Sequence, residues 1–392
     1  MGDNTRISQL SALLPPSLAF QEVPGDMPTY HQVVETRQQV LDILSGADDR
    51  LVVVLGPPAD SDPAALTELA TQLQALKPKL EKELLLIVLA DAALQPEGTE
   101  AVQINRGLRQ ARELLLQINR LGLPVACEFA DTITPQFFAD LLSWSCVSAG
   151  SETLRELVSG LSMPAGLRAH VDATSPERMA AVGASLADAA GPQVGGAHLG
   201  VSSHTCTAHA IPAHAMSVVC HSPLTHPPPR ATDQVFFGVT SHGIAGIVQS
   251  KGNDECALVM HGGAGTPDER TSRVVGACKE LRKAAPAAPA APPVIVECGG
   301  AEVTPDEQAQ LVAKLAEALG AGEVQLHGLS LSSHLLSGSQ AADAPNRVRG
   351  LSITEPCLDW AATSEAVHAV AAAVRRRNAA TGGAAAKKPR RG

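Results

Sequence analysis

Short apolar runs alternate with helical patterns along most of this 392-residue chain, and this alternation constrains the fold more than any other feature. We predict eight buried strands, at residues 51–56, 84–89, 123–129, 146–148, 165–171, 235–240, 294–298 and 324–331. Helical segments lie between them, such as residues 104–121, in which leucine, isoleucine and alanine recur at helical spacing. Eight strand-then-helix units predict an α/β fold, a (β/α)8 TIM barrel, with a doubly wound sheet as the next choice.

The composition narrows the class of protein. Hydrophobic residues make up 45% of the chain, and no apolar run reaches the roughly 18 residues of a membrane helix. The net charge of −10 argues against electrostatic attraction between the chain and nucleic acid. The eight cysteines include no CxxC pair. Residues 1–4 lead into polar sequence rather than a signal peptide. We therefore expect a cytoplasmic protein with no nucleic-acid or membrane partner.

Several segments fall outside the barrel pattern. We expect an N-terminal extension (1–47) with its own helix around residues 30–44, a barrel (48–377), a disordered His-rich insert within it (190–233), and a disordered basic tail (378–392). A β-hairpin is predicted after the sixth strand, at residues 243–260, with its turn at 251–254. We also expect the arginines at 375–377 to belong to a frayed, solvated terminus.

The insert concentrates potential metal ligands. Six of the thirteen histidines lie there with Cys206 and Cys220: His198, His204, His209, His214, His221 and His226. Imidazole and thiolate are ligands that zinc prefers, which makes a metal-binding loop one hypothesis. The spacings match no zinc motif, and the flanks are rich in proline. We favour the other interpretation, a disordered segment or translated non-coding sequence.

Ordered motifs give a family resemblance. Residues 48–62 read DDRLVVVLGPPADSD, residues 104–112 read INRGLRQAR, and residues 155–162 read RELVSGLS. Together with Gly252-Asn253 and Ser352-Ile353-Thr354, these resemble class I 3-deoxy-7-phosphoheptulonate (DAHP) synthases over roughly residues 10–377. The resemblance implies the barrel fold and an enzyme that joins phosphoenolpyruvate to erythrose 4-phosphate in aromatic amino acid biosynthesis.

The resemblance also implies a divalent metal (Mn, Fe, Co or Zn) held by Cys, His, Glu and Asp from four strand ends. At the matching positions this chain has Pro58, Gly300, Ser332 and Glu355. Only Glu355 remains a charged ligand, so we expect that the metal has been lost. Cys298 and His334 lie nearby in sequence and are the alternative donors.

The resemblance locates the remnants of substrate binding. Arg168 takes the place of a family lysine, and His261 takes the place of an arginine before Gly262 and Gly263. A phosphate-binding loop that the family carries after the second strand is missing here. Glu128 and Asp131 match family positions, where a carboxylate serves catalysis or accepts structural hydrogen bonds equally well.

These observations predict a DAHP-synthase-like protein of the shikimate pathway with a degraded active site, acting as a non-catalytic homologue. The alternatives are an active synthase with a rebuilt site and an expressed relic. The family resemblance further implies an effector element for an aromatic amino acid, at Ser159, Gly160, Leu161 and Ser162. It also implies a homo-oligomer or a hetero-oligomer with an active synthase.

Overall fold

The fold, in a computed structural model, is a closed barrel of eight parallel strands. The structure describes residues 6–7, 9–58, 62–91, 101–170, 234–284 and 292–380. Around the barrel the strands follow the order β1 (Leu51–Gly56), β2 (Leu84–Leu89), β3 (Val125–Glu128), β4 (Trp144–Ser148), β5 (Ala165–His170), β8 (Cys256–His261), β9 (Val294–Glu297) and β10 (Gly328–Ser332). The predicted (β/α)8 barrel is therefore confirmed. The His-rich insert lies outside the described residues.

Helices cover the outside of the barrel. They are α1 (Pro16–Glu22), α2 (Met27–Leu44), α3 (Pro63–Leu80), α4 (Ala101–Arg120), α5 (Pro135–Phe138), α6 (Glu152–Ser159), α7 (Pro267–Ala284), α8 (Pro305–Gly320) and α9 (Trp360–Ala380). Among the described helices, none combines the length and the hydropathy needed to cross a membrane.

Alternate strand residues build two cores. Outward-facing residues such as Leu51, Val53 and Leu55 pack against the helices in the larger core. Inward-facing residues such as Val52 and Val54 form a second core with Val40, Ile43 and Leu44 of α2 and apolar residues of the other strands. The barrel is thus a packed apolar core up to the carboxyl ends of its strands, and polar chemistry is confined to those ends.

Local sequence signals fix the helix starts. Thr304 caps α8, since its side chain accepts from the N–H of Glu307 and the Glu307 carboxylate accepts from the N–H of Thr304. Pro305 follows this cap in the first turn of α8. At the other end of the chain α9 extends to Ala380. The expectation that Arg375–377 belong to a frayed terminus was wrong, because these residues are helical and Arg375 pairs with Glu83 at 3.3 Å.

The predicted sixth barrel strand was also wrong. Residues 234–239 form β6 (Gln234–Val239), which pairs antiparallel with β7 (Ala245–Ser250) in a separate two-stranded sheet. The sixth barrel strand is instead β8. The hairpin predicted at residues 243–260 with its turn at 251–254 was wrong as well. The hairpin is formed by β6 and β7, lies between the fifth and sixth barrel strands, and turns at residues 240–244, where Gly243 has a φ of +76°.

Burial explains the error. In β6 Phe236 is 8% exposed, whereas Phe237 on the opposite face is 78% exposed. A barrel strand covered by helices buries both faces, as β8 does along Cys256–Met260. A short apolar run does not reveal whether one face or two will be covered, so periodicity cannot separate the two cases.

Candidate functional site at the carboxyl ends of the barrel strands

The carboxyl ends of the parallel strands bring together one cation and several carboxylates. Arg168 at the end of β5 pairs with Glu128 of β3 and, at 2.9 Å, with Glu297 of β9. Its side chain is only 25% exposed. Two carboxylates from opposite sides therefore hold the guanidinium across the barrel mouth.

Asp91, directly after β2, adds a buried carboxyl to this group. It is 7% exposed and accepts a hydrogen bond from the backbone N–H of Glu128. Burial, followed by the nearby Glu128 carboxylate, raises the pKa of Asp91 to about 7. Asp91 and Glu297 were missed as site residues, although an acidic residue that ends a buried strand is a usable signal.

The predicted site residues Glu128 and Asp131 have different surroundings. Glu128 lies in the mouth beside Arg168. Asp131 instead accepts from the backbone N–H groups of Ile133 at 2.6 Å and Thr134 at 2.7 Å. These bonds are those of an Asx turn over residues 131–134, just before α5, so Asp131 is accounted for by local structure.

The four positions that match the metal motif do converge. Thr354 donates its hydroxyl to the carbonyl of Pro58, and the next residue, Glu355, accepts from the Ser332 hydroxyl. Gly300 follows Gly299, beside Ser332. Burial raises the pKa of Glu355, and the Ser332 hydroxyl partly offsets that increase. The positions that match the metal motif therefore lie close together, and Glu355 presents the one carboxylate of the four.

The alternative donors Cys298 and His334 do not join this neighbourhood as a metal group. Cys298 is fully buried in the outer core, and burial raises the pKa of its thiol to about 12, which keeps it protonated. His334 is likewise fully buried. Across the part of the chain that the structure describes, no cluster of three or more His, Cys, Asp or Glu side chains is placed to hold a metal ion.

His261, at the end of β8, spans two neighbouring loops. Its Nε2 lies 3.0 Å from the carbonyl oxygen of Gly299, and its Nδ1 accepts from the N–H of Gly263 at 3.2 Å. The first contact requires a proton on Nε2 and the second requires a bare Nδ1, so the ring is the neutral Nε2–H tautomer. Gly263 has a φ of +72°, which explains why the Gly262-Gly263 turn contains glycine.

The predicted effector element, residues 159–162, is fixed by polar contacts beneath the hairpin. The Ser159 hydroxyl lies 2.7 Å from that of Ser250, a side chain at 160 would meet Phe236, and Arg37 donates to the carbonyl of Ser162 at 2.8 Å. Asn253 is 5% exposed and donates to the carbonyls of Val158 and Met163, both at 3.1 Å. Leu161 packs at the edge of the outer core. The backbone on both sides of the element is thus tied to the segment before β8.

We expect Asn253→Ala to lower the free energy of unfolding by about 1–3 kcal/mol, because two buried carbonyls lose their donor. Hydrogen exchange should accelerate in residues 158–163 and stay unchanged in α8. Asn253→Asp is the matched control: it keeps the oxygen that accepts from Glu255, at 3.0 Å, but cannot donate to the two carbonyls. Full stability of the aspartate variant in urea unfolding would contradict this account.

Comparisons with known proteins agree with this architecture. A model of the DAHP synthetase I family matches residues 30–368. The Phe-sensitive phospho-2-dehydro-3-deoxyheptonate aldolase of Escherichia coli K12 is 30% identical over 391 residues, covering 95% of this chain and 97% of that protein. A tyrosine-inhibited relative from Schizosaccharomyces pombe is 28% identical, covering 95% of this chain and 93% of its own.

A solved structure agrees as well. The phospho-2-dehydro-3-deoxyheptonate aldolase of Francisella tularensis superimposes with a TM-score of 0.74 at 26% identity, over 95% of this chain and 99% of that one. The family match spans far more than half of the residues. The chain therefore belongs to the DAHP synthetase I family of aromatic amino acid biosynthesis.

Proposed function

We propose that this chain is a DAHP-synthase homologue that does not carry out the condensation and acts instead as a non-catalytic partner in the same pathway. One observation carries the proposal. Three of the four converging positions that match the metal motif, Pro58, Gly300 and Ser332, provide no imidazole, thiolate or carboxylate.

The donor set does not suit a divalent cation. Catalytic and structural metal sites in proteins use several imidazole, thiolate or carboxylate donors that converge on one point. Here the Glu355 carboxylate already accepts from Ser332, and burial favours its neutral form. A single carboxylate beside a serine hydroxyl is a weak site even for Mg²⁺ or Mn²⁺. The proposal therefore includes no metal-dependent step.

The charges at the mouth also oppose the family substrates. Binding two phosphorylated anions requires several cations at the carboxyl ends of the strands. Arg168 lies among the carboxylates of the mouth, and Glu128 and Glu297 already neutralise it. Asp91 and Glu355 add further acidic groups. A phosphate group entering this mouth would have to displace a carboxylate from Arg168.

The second candidate function is active DAHP synthesis by a rebuilt site. Family membership favours it, since relatives that match over about 95% of this chain are named as phospho-2-dehydro-3-deoxyheptonate aldolases. This alternative requires donors for a metal and for two phosphates in addition to Glu355, the one carboxylate among the four matching positions.

Titration with Mn²⁺ separates the two candidates without relying on turnover. We expect electron paramagnetic resonance to report only free Mn²⁺ at protein concentrations near 100 μM, with the E. coli Phe-sensitive relative as the control for binding. Binding of one equivalent that is abolished by Glu355→Gln would sink the non-catalytic proposal and favour the rebuilt site.

The partner role has its own support and its own test. The segment 159–162 is held in place by Asn253, Arg37 and Ser250, which supports the proposal that it still serves as a binding element. We propose that the chain forms homo-oligomers or associates with an active synthase and binds an aromatic amino acid. Mixing with an active synthase should alter that enzyme's inhibition by phenylalanine or tyrosine. Absence of co-elution at 10 μM of each protein would end this part of the proposal.

A further inference from the structure

Two adjacent glycines follow β9, and each lies against a side chain from another strand. A Cβ added at Gly300 would lie 2.6 Å from Nε2 of His261, and one added at Gly299 would lie 2.0 Å from Oγ of Ser332. Real Cβ atoms are essentially never found within 3.0 Å of another residue's atoms. Gly300 also has a φ of +144°, which residues with a side chain rarely adopt.

Both obstructing side chains are fixed in place. His261 is hydrogen-bonded at both ring nitrogens, to Gly299 and Gly263. The backbone of Ser332 is held by the buried Gln308 amide, which donates to the Ser332 carbonyl at 3.0 Å and accepts from its N–H at 2.9 Å. Rotation of the imidazole would break its bonds to Gly299 and Gly263, and rotation of the serine hydroxyl would break the bond that it donates to Glu355. Each lost bond has a cost.

We propose that His261 and Ser332 have taken over the space that side chains at 300 and 299 would need, so that these four residues form one packed unit that closes the former metal position. The packed unit consists of His261, Gly299, Gly300 and Ser332. The consequence of the packed unit for metal binding rests on the proposed function, whereas the packing of the four residues does not. A side chain restored at 300 alone would meet both a strained backbone and the His261 ring.

The packed unit predicts energetic coupling between positions 261 and 300. In a double-mutant cycle, Gly300→Ala should lower the melting temperature by several degrees more in the wild-type background than in a His261→Ala background. The difference arises because removing the imidazole removes the steric clash and leaves only the backbone strain. Equal losses in the two backgrounds would overturn the proposal.

A matched control isolates the backbone contribution. Gly322 has a φ of +73° and no atom within 4 Å of an added Cβ, so Gly322→Ala tests strain without a clash. Its loss in melting temperature should be the same with and without His261. Folding of the double variant His261→Ala/Gly300→Ala under conditions where Gly300→Ala alone fails to fold would also support the coupling.

Nitrogen NMR of the intact wild-type protein gives a readout that needs no variant to fold. We expect the ring of His261 to be the Nε2–H tautomer at pH 7.5, with Nδ1 carrying no proton. An Nδ1–H tautomer or a rapidly averaging ring would overturn the packed unit. DAHP synthesis by the wild-type chain would contradict the proposed function and leave the coupling intact. An uncoupled cycle would sink the packed unit and leave the proposed function standing.

Discussion

Replacing Arg112 by alanine is expected to lower the free energy of unfolding by about 3–5 kcal/mol, the largest effect we predict for a single residue. The Arg112 side chain is 1% exposed and forms two bonds of 2.7 Å to the Asp140 carboxylate. It also donates to the carbonyls of Val23 and Phe137 and lies 4.4 Å from the centre of the Phe20 ring. Removal leaves a partly buried carboxylate and two carbonyls without a donor. Chemical unfolding at pH 7.5 measures the loss.

Arg109, one helical turn earlier in α4, is the matched control. It also pairs with a carboxylate, that of Glu22, but both side chains are about one-third exposed. Exposed pairs contribute little because water already solvates both charges. Arg109→Ala should therefore leave the urea midpoint close to that of the wild type. If the Arg109→Ala and Arg112→Ala midpoints fell equally, burial would not be the source of the Arg112 effect.

Asp91→Asn is the second large effect, and its sign depends on pH. Burial raises the pKa of Asp91 from 3.8 to about 7, so the folded state holds a proton that the unfolded state releases. The resulting loss in the free energy of unfolding is absent below pH 4, grows as the pH rises from 4 to 7, and is complete above pH 7. Asparagine keeps the oxygen that accepts from the N–H of Glu128 and carries no charge. We expect Asp91→Asn to stabilise the protein by about 2–4 kcal/mol at pH 8 and by almost nothing at pH 4.

Stability profiles from pH 4 to pH 8 test this expectation. Burial also raises the pKa values of Glu297 and Glu355. The stability of the Asp91→Asn variant should therefore still fall as the pH rises, with a shallower slope than that of the wild type. Asp62→Asn serves as the control, since Asp62 likewise accepts one backbone N–H, from Ala65 at 2.9 Å, but is only half-buried. Asp62→Asn should stabilise the protein less at pH 8 than Asp91→Asn does, because water still reaches a half-buried carboxylate. A profile for Asp91→Asn that runs parallel to that of the wild type would show that Asp91 is already ionised at neutral pH.

Periodicity and turn residues predicted the barrel because strand-then-helix units allow few arrangements. The same reasoning misplaced residues 235–240, since an apolar run does not state how many of its faces will be covered. The family resemblance, not periodicity, pointed to Pro58, Ser332 and Glu355, which lie close together because the strand ends of a parallel barrel meet at one edge.

Packing across the barrel could not be predicted. Nothing in the residues next to Gly300 indicates that a ring from β8 would occupy the adjacent space, since positions 261 and 300 are far apart in the chain. The raised pKa of Asp91 likewise depends on burial and on Glu128, 37 residues away. Such properties arise from long-range contacts that a single sequence does not specify.

An assay for DAHP formation tests the central claim most directly. The purified chain would be mixed with phosphoenolpyruvate and erythrose 4-phosphate in the presence of Mn²⁺, Fe²⁺, Co²⁺ or Zn²⁺, with the E. coli Phe-sensitive relative assayed in parallel. The account predicts no product above the protein-free blank with any of the four metals. Turnover in the usual enzyme range of about 1–1000 per second would contradict it and would show that other residues have rebuilt the site.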